Sequence, residues 1–556
     1  MRTGLTEGSD RAAPGLRDVL LRGARGRAAS LARFGLWCRR HPRAVWAAGL
    51  GLAVLVLFLC YLRDAQTVGP SSDSASISLQ AWQMWHGNPI LRGWWLSDEC
   101  FYGVDLPLNA VVEMVVGLRP GAIHIYAAVD YVVVVLLAGL LARGRARGRE
   151  GVVRMLLTVG IMLAPSTALG SRVLLQGPDH VGTQIAVLTA FLVLDRAPRR
   201  WWVPLSVGVL LTWAQVNDAQ ATFSAAAAVA AAGGVRACTE VARWQRPPRE
   251  RWYDVSLVVA ALISFGLAHL IVSGIHAAGG FYLPGPKNGL GFAAISAMPA
   301  QSWATVYNVL ILFGADFIGQ PMGISAIFAL LHLVGVALGF GALWIAVRGF
   351  FTRMDLVNQT LVAGTVFILI AGAFGLYSGP VVGAHDIIPV LPFCAVLAGR
   401  LFGGRLVALR LEPVLAAGLI VMLAALGYND IQPKAVPPSS QLAVWLEAHH
   451  LTSGLAGYWE SNITTVDSGG RVRLASTVEG GTTAEEYEST AAWYNPAVSQ
   501  ANFIVSYSRS TDPSPVRPPV VRAWYGTPAH VYHFEDYTIM VYDYNLLTRV
   551  TVPTEP

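Results

Sequence analysis

Between residues 71 and 107 the chain reads SSDSASISLQAWQMWHGNPILRGWWLSDECFYGVDLP. This stretch gathers four carboxylates (Asp73, Asp98, Glu99, Asp105), one histidine (His86) and four tryptophans (Trp82, Trp85, Trp94, Trp95). A carboxylate within hydrogen-bond reach of a hydroxyl can take its proton, and an imidazole changes charge near neutral pH. Indole rings suit a membrane headgroup layer and can also stack on the face of a sugar. Each residue has a plainer reading as well. Aspartate is a preferred helix N-cap, Asp98 and Glu99 read as solvated charges, Asp105 starts a turn before Leu106–Pro107, and the tryptophans form an interfacial belt. Leu79 and Trp82 recur at helical spacing, Trp85 and His86 follow, and Gly87, Asn88 and Pro89 stop the helix. Asp73 therefore stands at the mouth of a helix that begins just after an apolar run.

The elements that must position these residues are membrane spans. Of 556 residues, 54% are hydrophobic and 13% charged, where a soluble protein carries about 25% charged residues. Apolar runs recur over 44–62, 120–142, 151–169, 181–195, 201–217, 220–235, 255–275, 322–347, 356–376, 387–402 and 409–428, which predicts an α-helical polytopic membrane protein of about eleven spans. Arginine patches follow alternate spans: Arg143 to Arg149, Arg196 to Arg200, 236–252, Arg348 with Arg353, and Arg405 with Arg410. All fall on the side of the basic tail 1–43, whose ten arginines read as cytoplasmic rather than as a cleavable signal. The segment 302–319 is apolar enough to span, but no Lys or Arg lies between Asn288 and Ile345, so it reads as a re-entrant or interfacial helix.

With that topology the first outer loop is 63–119 and a second long one is 276–321. The outer segments collect Asp73, Asp98, Glu99, Asp105, Glu113, Asp179, His180, Asp218, Lys287, His385 and Asp386. A reaction or binding centre on the outer face accounts for that bias; so does the greater length of the outer loops. None of the five cysteines forms a CxxC pair, which argues against a zinc or redox site; a Cys60–Cys100 bridge is conceivable on the outer side. Only Lys287 and Lys434 among the 40 basic residues are lysines, a bias that suits a GC-rich genome such as an actinobacterium's. The net charge of +6 does not point to nucleic acid. After the span domain 44–428 comes a Pro/Ser linker over 429–440. Short β-rich runs (454–459, 471–476, 501–508, 529–534, 537–544) then alternate with helical spacing, which predicts an extracytoplasmic α/β domain over 441–556.

The order of first span, Asp73, a helix reading LQAWQMWHGNP and a second acidic site resembles the first outer loop of the GT-C superfamily. These are membrane glycosyltransferases that use polyprenyl-phosphate-linked sugars, and they include protein O-mannosyltransferases and aminoarabinose transferases. Ala81, Met84 and Gly87 match the family's helix, and Asp73 its first acid; Ser74 stands where the family often has a second acid. PDHVGTQ (178–184), GAHDIIPVLPFCAVLAGR (383–400) and GYWESNITTVDSGG (457–470) are similar to blocks of uncharacterised actinobacterial members.

The resemblance implies an inverting transfer on the outer face, from a polyprenyl-phosphate-linked sugar to a glycan, lipid or protein acceptor of the cell envelope. An attacking hydroxyl needs a base: Asp73, with Asp98 or Glu99 second. The leaving phosphate needs a cation or backbone donors, for which Lys287 is a candidate and Arg172, His180 and His385 are alternatives, with Asp179 and Asp386 orienting the imidazoles. His86, Trp94 and Trp95 complete the candidate substrate contacts. No cofactor is implied with certainty. A divalent metal ion stays open, since some members bind one through such acids and others do without. Two rival readings remain: a transporter or flippase of lipid-linked precursors, and a non-catalytic relative that keeps the fold as an envelope assembly partner. Transporters place ionisable groups near the midplane and often show repeated halves; neither feature is visible here.

Overall fold

The computed structural model describes residues 41–167, 169–243, 248–284, 291–352, 354–375, 379–510 and 512–553. Nearly all of the expected tail 1–43, and Lys287, lie outside the described residues. The chain forms two compact units, Met1–Phe58 and Leu59–Pro556. The described part of the first is the start of α1 (Pro42–Ala65), with Leu50, Leu52, Leu55 and Val56 exposed. The second unit carries the whole acidic loop and the C-terminal region.

In that unit α2 (Ser72–Trp85), the two-residue strand β1 (Trp94–Trp95) and α3 (Asp105–Val116) make up the loop after α1. The helices α4 (Pro120–Arg143), α5 (Gly148–Met162), α6 (Leu169–Leu175), α7 (His180–Arg196), α8 (Trp202–Asn217) and α9 (Ala227–Arg243) follow. Then come α10 (Pro248–Ala277), α11 (Met298–Leu312), α12 (Ile324–Gly349), α13 (Leu356–Phe374), α14 (Val390–Ala408) and α15 (Glu412–Asp430). Helix α4 packs on α5, α7 and α14, and α14 packs closely on α5.

Among the described residues, seven helical segments are long and apolar enough to cross a membrane: Ala47–Ala65, Pro120–Arg143, Arg251–Ala277, Ile324–Gly349, Leu356–Phe374, Val382–Ala408 and Glu412–Asp430. Each overlaps an expected span, and the protein is a multi-pass membrane protein. The other four expected spans correspond to α5, α7, α8 and α9, which have 15, 17, 16 and 17 residues; a straight crossing takes about 20. In α7 and α8 the apolar runs are cut short by His180, Thr183 and Asn217, which face other polar groups inside the protein. The expected segment 302–319 is a 15-residue helix, α11, that ends at Leu312.

The C-terminal region is α/β, as its alternating pattern predicts. Its helices are α16 (Pro438–Ala448), α17 (Tyr458–Asp467) and α18 (Pro518–Tyr525). Its strands are β2 (Ser453–Ala456), β3 (Arg473–Val478), β4 (Thr483–Ala484), β5 (Ser489–Thr490), β6 (Phe503–Tyr507), β7 (His530–Phe534) and β8 (Tyr537–Val541). Six of them form one sheet in the order β4-β3-β2-β6-β8-β7, with β3, β2 and β6 parallel. The run 454–459, expected as one strand, divides at Gly457. The strand ends at Ala456 and Tyr458 opens α17.

This region does not stand apart from the first loop. Strand β5 pairs antiparallel with β1, matching Trp94 to Thr490 and Trp95 to Ser489. Helix α17 lies between β3 and α2. One apolar core runs through Ile77, Leu79, Trp94 and Trp95 of the loop and Leu455, Ile463, Ile504 and Met540 of the C-terminal region. Cys60 and Cys100 are both free and form no bridge.

The N-terminus of α2 is fixed by two contacts. Ser71 caps it, with a reciprocal capping box to Ser74, so the cap is Ser71 rather than Asp73. Gly177 then presses against Ser74: a Cβ on Gly177 would lie 2.3 Å from the Ser74 Cβ. We expect Gly177→Ala to destabilise the protein by about 1–3 kcal/mol through overpacking. The drop in melting temperature in detergent should largely reverse in the double variant with Ser74→Gly.

Candidate functional site

Asp73 sits in the first turn of α2, and its carboxylate accepts a hydrogen bond from the Tyr458 hydroxyl at the start of α17. The same hydroxyl is hydrogen-bonded to Glu488, immediately before β5. Glu488 is 2% exposed and has a left-handed backbone with φ +47°, a region few non-glycine residues occupy. Its carbonyl is held by Ser76 of α2 at 3.4 Å and by Asn462 of α17 at 3.1 Å. The Ser72 hydroxyl donates to the Tyr458 carbonyl at 2.5 Å. The serines of α2 thus satisfy backbone groups of the C-terminal region while letting the two segments approach closely.

A histidine–aspartate cluster lies beside Asp73. Asp179 caps α7, accepting from the His180 amide at 2.8 Å, and its other oxygen contacts His385 Nδ1. His180 Nδ1 is 2.8 Å from Asp218, and its Nε2 is 3.5 Å from Asp179 and 3.9 Å from Asp386. A 3-10 turn over Val382–Ile387 delivers His385 and Asp386, and Gln220 donates to the Asp386 carbonyl. Glu99 reaches the same group by accepting from the Ala219 amide at 2.7 Å.

Beneath His180 the network continues inward. The Thr183 hydroxyl donates to Asp218 at 3.1 Å, and Asn217 donates to Thr183 at 2.9 Å and to Asp105 at 2.6 Å. Tyr126 donates to the other Asp105 oxygen. Asp105 is fully buried and lies against α7, where a Cβ on Gly182 would come within 2.3 Å of its carboxylate. Asp105 is the floor of this cluster rather than a turn residue.

Carboxylates outnumber imidazoles here, and burial raises several of the acids. Burial raises Asp73 above the usual carboxylate range, with the Asp179 charge adding to it, while the Tyr458 hydrogen bond and His385 oppose the rise. Burial and Asp218 push Glu99 well up; burial and Asp73 do the same to Glu488. Asp179 is the exception. Although burial pushes it up, His385 and His180 hold it below the usual range.

The structure therefore brings together Asp73, Asp98, Glu99, Asp179, His180, His385 and Asp386. Asp98 is exposed, with its charge close enough to act on Glu99 and Glu488. Three expected contacts lie elsewhere. His86 is exposed at the far end of α2, bonded to the Trp82 carbonyl at 2.7 Å. Trp94 and Trp95, at 0% and 1% exposure, are core residues that pack near Trp493 and Tyr494 and leave no face for a sugar. Lys287 lies outside the described residues. Among the described residues, no three His, Cys, Asp or Glu side chains are grouped as ligands of a metal ion.

The site also contains Tyr458, Glu488 and Asp218. Asp218 is one of the outer-segment acids noted above. Tyr458 lies in the block 457–470, but nothing in its local sequence marks it as polar machinery, and Glu488 ends an ordinary acidic run, EEYE (485–488).

The chain has a GT-C-like fold. Among solved structures it is similar to ArnT from Cupriavidus metallidurans in the apo state, with a TM-score of 0.54, 12% identity, and coverage of 92% of this chain and 100% of that one. It is also similar to the same protein bound to undecaprenyl phosphate, with a TM-score of 0.53, 12% identity, and coverage of 92% and 99%. The Archaeoglobus fulgidus oligosaccharyltransferase in complex with Zn and sulfate gives a TM-score of 0.47 at 14% identity, covering 82% of this chain and 67% of that one. No family model and no curated protein matches the sequence.

The raised acids fix a sign for pH dependence. A folded state that binds protons more tightly than the unfolded chain loses stability as pH rises. The loss from Glu99 and Glu488 begins near the ordinary glutamate value of about 4.3 and continues upward. The opposite contribution of Asp179, whose folded value is lowered, is already complete above about pH 4. The melting temperature in detergent is therefore expected to fall between pH 5 and pH 9, and Glu488→Gln to flatten that slope.

Proposed function

We propose that the protein is an integral-membrane, inverting glycosyltransferase. It takes a sugar from a polyprenyl-phosphate donor on the outer leaflet and gives it to a cell-envelope acceptor. The observation that carries this reading is the placement of Asp73, half-buried at a helix mouth next to two histidines held by aspartates. The fold supports it, since a neighbour of the same fold is found with undecaprenyl phosphate bound.

In this reading the acceptor hydroxyl oxygen attacks the anomeric carbon from the face opposite the phosphate. The bond from that carbon to the phosphate oxygen breaks, and its electron pair leaves with the phosphate. Asp73 takes the hydroxyl proton. A single displacement inverts the anomeric centre. His180 and His385 offer positive charge to the departing phosphate, and Asp179, Asp218 and Asp386 orient the rings. Asp98 and Glu99 line the approach to the base. The C-terminal α/β region takes part in acceptor recognition, with the exposed Trp459 beside Tyr458. The proposed placement is the plasma membrane, with the arginine-rich side cytoplasmic and the acidic loop and C-terminal region outside.

Two measurements test this. In a deletion strain, wild-type protein should restore an envelope glycan that Asp73→Asn, expressed at the same level, does not restore. A normal glycan with Asp73→Asn would remove the catalytic role and leave the protein as an assembly partner. Reporter fusions after residue 450 should report the extracytoplasmic side, and a cytoplasmic signal there would reverse the topology.

A further inference from the structure

The Tyr458 hydroxyl carries one hydrogen, yet it makes short contacts with two carboxyl groups, those of Asp73 and Glu488. A phenol donates once. The second contact is a hydrogen bond only if the phenolic oxygen accepts a proton from a protonated carboxyl. One of the two acids must therefore be neutral, and their surroundings decide which. Asp73 is half-buried, and although Asp179 bears on it more strongly, the opposite charge of His385 also stands near it. Glu488 is almost wholly buried, and the charged groups bearing on it are the carboxylates Asp73, Asp98 and Asp179, with the Tyr487 phenol also close. Like charges disfavour ionisation and opposite charges favour it.

We propose that Tyr458 and Glu488 are positioning residues that form a directed chain, Glu488 carboxyl to Tyr458 hydroxyl to Asp73 carboxylate, and that this chain keeps Asp73 ionised and aimed. The inference rests on Asp73 as the base of the proposed transfer. Within that step Asp73 gains the acceptor's proton and gives it up to water after product leaves, while Glu488 keeps its own proton throughout. All three groups meet only where α2 packs on α17 and β5 pairs with β1. The base is thus completed by the C-terminal region, and it is competent only when that region is seated on the first loop.

Infrared spectroscopy of protonated carboxyl groups tests the chain without any substrate, using the full-length protein in lipid nanodiscs. At neutral pH the protonated-carboxyl band should lose intensity in Glu488→Gln and keep it in Asp73→Asn. The Asp73 titration, isolated as the difference from Asp73→Asn, should move upward in Tyr458→Phe by about one pH unit or more. That shift is a tenfold loss of ionised Asp73 at a fixed pH below its midpoint, as expected when a hydrogen bond to a charged group is removed. Loss of the band in Asp73→Asn instead of Glu488→Gln, or an unmoved midpoint in Tyr458→Phe, overturns the proposal. If Glu488→Gln does not fold, the midpoint in Tyr458→Phe decides alone. The glycan phenotype of Asp73→Asn is scored separately. A chain that behaves as expected beside a normal glycan overturns the role of Asp73 as base, while a lost glycan with an unmoved midpoint overturns the chain alone.

Discussion

One phenolic hydroxyl shared by two carboxyl groups is the contact on which the rest of the site depends. Removing several acids from water is costly unless charges are paired or neutralised. This cluster uses both means. Asp179 and Asp218 are paired with histidines. Asp105 is enclosed by the donors Tyr126 and Asn217. Glu99 and Glu488 are pushed toward the neutral form by burial and by neighbouring carboxylates, Glu99 against the pull of His180. Asp73 lies between these extremes: burial raises it, while the Tyr458 hydrogen bond and His385 oppose the rise.

That balance requires the first loop and the C-terminal region to be one body. The apolar core spanning Ile77, Trp94, Ile463 and Ile504 supplies the non-directional part of the contact. The pairing of β1 with β5 sets its register. The serines of α2 set its distance. Short hydroxyl side chains let α17 come close and bond its carbonyls, where larger side chains would hold it away. Ser74 belongs to this device. It closes the capping box and packs on Gly177, where a Cβ would lie 2.3 Å from its own. The acid that meets Asp73 through Tyr458 is Glu488, far along the chain.

The membrane helices contribute the other half of the site through their ends. Helix α7 begins with His180, α8 ends with Asn217, and the 3-10 turn before α14 presents His385 and Asp386. Polar residues at these positions shorten the apolar stretches, which is why α7 and α8 fall below the length of a straight crossing. The inward chain from His180 through Asp218, Thr183 and Asn217 to Asp105 ties these ends together.

The amino-acid pattern alone determined the class of the protein. Long apolar runs with basic flanks can be stable only as membrane helices, and the alternation after residue 440 can be satisfied only by strands and helices that share a core. Those signals are local, and so was the placement of Asp73 at a helix mouth and of PDH and AHD beside other outer-segment acids. The tertiary structure alone decided which polar residues meet. Trp94 and Trp95 read as surface rings because tryptophan near a membrane usually is one, but strand pairing and the shared core bury them. Tyr458 reads from the sequence as an aromatic of the C-terminal region, and Glu488 carries no local mark of function. Their roles come from the packing of α17 on α2, a contact between segments separated by hundreds of residues, and one sequence without that contact contains no term for the distance between them.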